Sequence, residues 1–111
     1  MTKGDTVLPG TLDLLILKTL DAMGPLHGYG IARRLERLSG DALRLNPGTI
    51  YASVVRLQQR HWISAGWGTS ENNRRARFYA ITSAGRRQLE AEKSAWARMV
   101  AIIDSLVSEQ T

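Results

Sequence analysis

Residues 45–82 read LNPGTIYASVVRLQQRHWISAGWGTSENNRRARFYAIT. Asn46 is a strong helix N-cap, and Pro47 suits the first helical position, where its missing N–H costs nothing. Ile50, Val54 and Leu57 then repeat at helical spacing and predict a buried stripe. Thr49, Ser53, Arg56 and Arg60 fall beside one another on a polar face. Strand alternation follows directly: Ile63, Ala65 and Trp67 on one strand, then Arg77, Tyr79 and Ile81 on the next, with Phe78 on the opposite side. The polar run Thr69–Arg74 between them has loop composition. A short capped helix followed by a basic two-stranded hairpin is the recognition helix and wing of a winged helix-turn-helix.

The flanking sequence fits this frame. Residues 1–10 are polar, end in Pro9-Gly10, and are expected to form an N-terminal arm. A first helix is expected from Thr11 as N-cap, with Asp13 in the first turn, where a negative charge favours the helix dipole. Leu12, Leu15, Ile16, Leu20 and Met23 give its apolar stripe, and Gly24-Pro25 ends it. A second helix is expected from about His27 to Ser39, with Ile31, Leu35 and Leu38 inward. Gly28 and Gly30 in its first turns suggest a close backbone approach, to the first helix or to a phosphate. His27 is read as helping to start this helix. Ser39-Gly40-Asp41 reads as a turn.

Thr82 or Ser83 can cap a last helix reaching about Val107. Leu89, Trp96 and Ile103 are spaced by sevens, as are Met99 and Leu106, which resembles the a/d seam of a paired helix. Glu92 interrupts it. The expected fold class is therefore mainly α (α+β), in the order α-α-α-β-β-α. Residues 11–82 form the winged helix-turn-helix domain, and 83–111 a long C-terminal dimerisation helix. In so small a domain such a helix has little to bury against except its copy in a second subunit.

Charge distribution agrees. Of the net +5, residues 1–61 carry +3, residues 62–87 carry +4 and residues 88–111 carry −2, so positive charge is densest on the wing. This pattern favours double-stranded DNA as a partner. No apolar run approaches the roughly 18 to 20 residues needed to span a bilayer, and the N-terminus lacks a secretory pattern, so a cytoplasmic location is expected. The chain has no cysteine, which excludes disulfides, thiolate catalysis and cysteine-based zinc sites. Its two histidines sit beside no serine or carboxylate in a catalytic motif, and there is no phosphate loop. Neither an enzyme, a metal site nor a cofactor is expected.

The stretches GTLDLLILKTL at 10–20, GPLHGYGIARRL at 24–35, NPGTIYASVVRL at 46–57 and WISAGWGTSENNRRARFYAITSAGRRQL at 62–89 resemble the PadR family of bacterial transcriptional regulators, in its short subgroup with one C-terminal helix. The resemblance spans Leu8 to Ile103. It implies a homodimeric repressor that binds an inverted-repeat operator and is often released by a small molecule. Three positions depart from the family pattern. Ala52 replaces a common proline, Gln58 replaces an acidic residue, and His61 stands where a glycine often ends the helix, a place it tolerates if its φ is positive.

The candidate DNA contacts are Thr49, Ser53 and Arg56 in the major groove. Tyr51 is a candidate for a phosphate, as its place in the family motif implies. On the wing they are Asn72, Asn73, Arg74, Arg75 and Arg77. Dimerisation is assigned to Leu89, Trp96, Met99, Ile103 and Leu106. Trp96, with Met99 and Ile103, is the candidate site for a small aromatic effector, a use the resemblance implies. Trp62 and Trp67 read as hairpin anchors. Two other readings stay open: a winged-helix module that binds a protein, and a ligand sensor without sequence-specific DNA binding.

Overall fold

A computed structural model describes residues 9–109; the expected arm lies outside them except for Pro9 and Gly10, which belong to the first helix. The elements are α1 (Pro9–Met23), β1 (Leu26–His27), α2 (Gly28–Leu38), α3 (Pro47–Gln59), β2 (Ile63–Thr69), β3 (Arg75–Ile81) and α4 (Ser83–Ser108). Because α1 is already helical at Pro9, Thr11 is not its cap and Asp13 lies past its first turn. Asp13 has a different task, described below.

Helix α1 is the hub. Leu12, Ile16, Leu17 and Leu20 are all buried, and they meet Ile31 and Leu35 of α2, Ile50, Val54 and Leu57 of α3, Ile63 and Tyr79 of the hairpin, and Leu89 of α4 in one cluster. Met23 and Leu38, expected to face inward, are exposed at the ends of their helices.

Each helix begins and ends for a local reason. His27 caps α2 through its imidazole, whose Nδ1 accepts the Gly30 N–H at 3.0 Å. The glycines that open α2 face Ile50 of α3 and the side chains of Leu26 and His27, so the close approach is to these groups rather than to α1. Between α2 and α3, Ser39 Oγ accepts the Leu43 N–H and Glu36 Oε2 accepts the Leu45 N–H. These bonds fix where α3 starts. Helix α3 ends in a Schellman motif: His61 N–H donates to Gln58 O and Trp62 N–H to Leu57 O, with His61 at φ 62°. The condition that lets histidine replace glycine is met.

The sheet has three strands in the order β1-β3-β2, all antiparallel. The two residues of β1 pair Leu26 with Tyr79 and His27 with Phe78, adding an edge to the expected two-stranded wing. Within the hairpin, Ile63 faces Ile81, Ala65 faces Tyr79 and Trp67 faces Arg77, so the expected alternation holds.

Helix α4 is rooted at the end of α3. Thr82 Oγ1 accepts the Gly85 N–H at 3.0 Å and donates to His61 O at 2.8 Å. Thr82 N–H donates to Trp62 O at 3.0 Å. A Cβ on Gly85 would lie 2.1 Å from the Trp62 carbonyl oxygen and 2.8 Å from Ile81 Cγ1. Only glycine lets the helix pass this close to backbone. Gly85→Ala is expected to destabilise the fold by about 2 kcal/mol or more, as overpacking against backbone does; urea denaturation measures it, and an unchanged midpoint would refute the packing described.

Candidate nucleic-acid interface

Helix α3 opens on Asn46, whose Oδ1 accepts the Thr49 N–H at 2.8 Å and the Thr49 hydroxyl at 3.1 Å. The polar residues that follow do not share one exposed face. Ser53 is fully buried and its hydroxyl donates to Asp13 Oδ1 of α1. Arg56 donates from Nη2 to Asp13 Oδ1 at 2.8 Å and from Nε to Oδ2 at 3.2 Å. This two-pronged contact engages both carboxylate oxygens. It raises the Arg56 pKa above its ordinary value, chiefly through the hydrogen bonds, with partial burial opposing and the Asp13 charge adding. Ser53 therefore does not belong to the outward surface assigned to it, and the guanidinium of Arg56 is turned onto α1. The Asp13 carboxylate clamps α3 to the hub.

The face of α3 turned away from the core carries Gly48, Ala52 and Gln59, with Thr49 and Tyr51 exposed beside it and Val55 half-buried. Gly48, Ala52 and Gln59 escaped the sequence reading, although the buried stripe contained the signal: Ala52 follows Ile50 by two residues, and Gln59 follows Leu57 by two. In a helix of 3.6 residues per turn, that offset is about half a turn. Beside this face a cleft of about 480 Å³ separates α2 from α3, with Tyr29 and Tyr51 at its walls. Arg33 donates to the Tyr29 hydroxyl at 2.9 Å.

The wing tip is a tight turn. Asn73 N–H donates to Ser70 O and Ser70 N–H to Arg74 O, with Asn73 at φ 59°. A left-handed residue closing such a loop favours Asn or Gly, so Asn73 has a conformational reason to be there. Asn72, Arg74, Arg75 and Arg77 are exposed. Trp67 is not buried as an anchor; it is 60% exposed, with the Arg75 guanidinium 4.5 Å and that of Arg77 5.6 Å from its ring centre. Trp62 does pack against the core, under the guanidinium of Arg60 at 5.2 Å.

On α4, Leu89 is buried in the core of its own domain. It is thereby removed from the seam of residues expected to meet a partner. Beyond it every residue through Glu109 is exposed, including Trp96, Met99, Val100, Ile102, Ile103, Leu106 and Val107. Trp96, Met99, Ile103 and Leu106 thus form a continuous apolar stripe that none of the described residues covers. Among the described residues no group of side chains has the composition of a metal site, and no helix is long and apolar enough to cross a membrane.

A capped third helix clamped onto a hub, followed by an arginine-bearing hairpin, defines a winged helix-turn-helix regulator. The model of the transcriptional regulator PadR-like family matches residues 16–91, and the chain belongs to that family. A protein encoded in a transposon of Streptomyces fradiae, itself uncharacterized, is 38% identical over 86 residues. The match covers 78% of this chain and 23% of that one, so the chain spans under a quarter of that relative. A second uncharacterized protein, from Lysinibacillus sphaericus, is 28% identical over 104 residues and 94% of each chain. Among solved structures, a candidate transcriptional regulator of Thermoplasma acidophilum is 29% identical with a TM-score of 0.74, covering 94% of this chain and 97% of that one. A PadR-like transcriptional regulator of Bacillus cereus is 24% identical with a TM-score of 0.78, over 93% and 97% of the two chains. That likeness speaks for the fold alone.

Asp13→Ala leaves the buried Ser53 hydroxyl without its acceptor and Arg56 without its counter-charge. After allowance for screening of the half-exposed arginine, it is expected to cost about 1–2 kcal/mol. Asp13→Asn should cost less, because it keeps an acceptor for Ser53. Equal stabilities of all three proteins in urea would show that the clamp contributes nothing.

Proposed function

We propose that this chain is a homodimeric, sequence-specific repressor that reads an inverted-repeat operator with the outward face of α3 and grips the flanking backbone with its wing. The observation that supports this most is the division of the arginines. Arg56 is neutralised by a carboxylate inside the domain, whereas Arg74, Arg75 and Arg77 sit exposed on the hairpin and have no carboxylate partner among the described residues. The base-reading role stays with Thr49 and passes from Ser53 and Arg56 to Ala52, Val55 and Gln59. Gln can bind adenine through two hydrogen bonds, and the methyl groups of Ala52, Thr49 and Val55 suit thymine. Tyr51 at the rim can donate to a phosphate.

The α4 stripe supports the dimer. A large uncovered apolar surface on a projecting helix is the mark of an association site. In an isologous pair, Trp96, Met99, Ile103 and Leu106 would meet their own copies. The same apolar stripe is the place for a small planar effector stacked on Trp96, and the setting is the cytoplasm.

The test is selection of duplexes from a random pool, followed by anisotropy titrations. An inverted repeat bound by two chains is expected. Gln59→Ala should relax the preference at one position of each half-site by about 1–3 kcal/mol, while Arg56→Ala should leave the base preference unchanged. Selection of no consensus would remove the operator reading and favour a module that binds a protein.

Trp96→Glu would place two charges in the paired stripe and is expected to give monomers by sedimentation equilibrium that keep the wild-type helix content and melt lower, since the stabilisation from pairing is lost. A Trp96→Glu protein that remains dimeric would move the interface elsewhere.

A further inference from the structure

The two faces of the wing are built differently. On one, the Phe78 ring lies where a Gly68 side chain would project, 2.8 Å from the position of its missing Cβ, and packs edge-on to His27 at 5.4 Å. On the other stands Trp67, 60% exposed, directly opposite Arg77 in the register and diagonal to Arg75, whose own partner is Thr69. Both guanidiniums lie within cation–π range of the indole. An aromatic ring this exposed contributes little to the core, so its use lies elsewhere.

We propose that Trp67 is a positioning residue for DNA binding: it stacks Arg75 and Arg77 in advance so that their N–H edges present a preformed pair of phosphate donors. This rests on the DNA-binding reading above. A guanidinium stacked by its flat face keeps its donors free around the rim. Arg56 shows the opposite arrangement, with its donors directed at Asp13. A long side chain ordinarily loses rotamer freedom when it binds a phosphate. Stacking on the strand removes part of that loss before DNA arrives.

The experiment is titration of the full chain with a mixed-sequence DNA duplex across a range of salt concentrations. It compares the wild type with Trp67→Ala, Trp67→Leu and Trp67→Phe, and repeats Trp67→Ala in an Arg75→Ala/Arg77→Ala background. Trp67→Ala and Trp67→Leu are expected to weaken binding roughly three- to tenfold. The slope of log affinity against log salt should stay the same, since no charge is lost. Trp67→Phe should retain most of the affinity because it keeps a π-face. In the background lacking both arginines, Trp67→Ala should change nothing further. Wild-type affinity in Trp67→Leu, or an equal loss with and without the arginines, would overturn the proposal while leaving the DNA-binding reading intact. No binding by the wild type even at low salt would overturn both. Leucine keeps apolar bulk on the strand, so its result stands even if the alanine variant folds poorly.

Discussion

The other helices and the central strand of this domain pack on α1. A chain of 111 residues has a small interior, and small domains bury a limited share of their surface. Here the share is concentrated on one helix that meets α2, α3, the sheet and the root of α4 at once. Two kinds of contact hold α3 to that hub: the apolar stripe Ile50, Val54 and Leu57, and the polar clamp of Asp13 on Ser53 and Arg56. The stripe fixes which side is inward. The clamp occupies one flank, where slippage about the helix axis would otherwise meet little resistance. What remains outward is then determined, and that remainder is the surface available to a partner.

This geometry explains which parts of the molecule were legible in its sequence. The helix caps at Asn46 and Thr82, the alternation along the hairpin strands, the left-handed His61 and the buried stripe of α3 all follow from local chemistry that a few neighbouring residues settle among themselves. The role of Asp13 does not. Its partners lie about forty residues away in sequence, and a carboxylate near a helix start has a sufficient local explanation in the dipole. With that partner unseen, Ser53 and Arg56 look like a free polar face. Residue type misled as well: small and uncharged Gly48 and Ala52 carry no chemical signature, although their phase against Ile50, Val54 and Leu57 places them outermost. Leu89 failed for a related reason. Its spacing of seven from Trp96 is the same whether its cover is a second chain or its own hub. Strand β1, only two residues long, is too short for any periodicity.

The three surfaces divide their chemistry cleanly. The outward face of α3 is nearly free of charge, the wing carries exposed arginines, and the far half of α4 carries an apolar stripe. In the proposed reading, a base-contacting surface without ionic ties would leave discrimination to shape and hydrogen bonds. In the same reading the exposed arginines of the hairpin would place salt-sensitive attraction on an element separate from that surface.

The root of α4 has a mechanical consequence. Gly85 lies against the carbonyl of Trp62, and Thr82 is bonded to the residues that end α3, so the long helix is tied directly to the end of α3. A helix of 26 residues is about 39 Å long, so a change of about 10° in its direction displaces the opposite end by about 7 Å. In a pair joined along α4, that is a fifth of the roughly 34 Å between successive half-sites. With α4 locked to its domain at Gly85, each helix of the proposed pair would act as a rigid lever, and a modest change in how the two cross would put the heads out of step with the DNA.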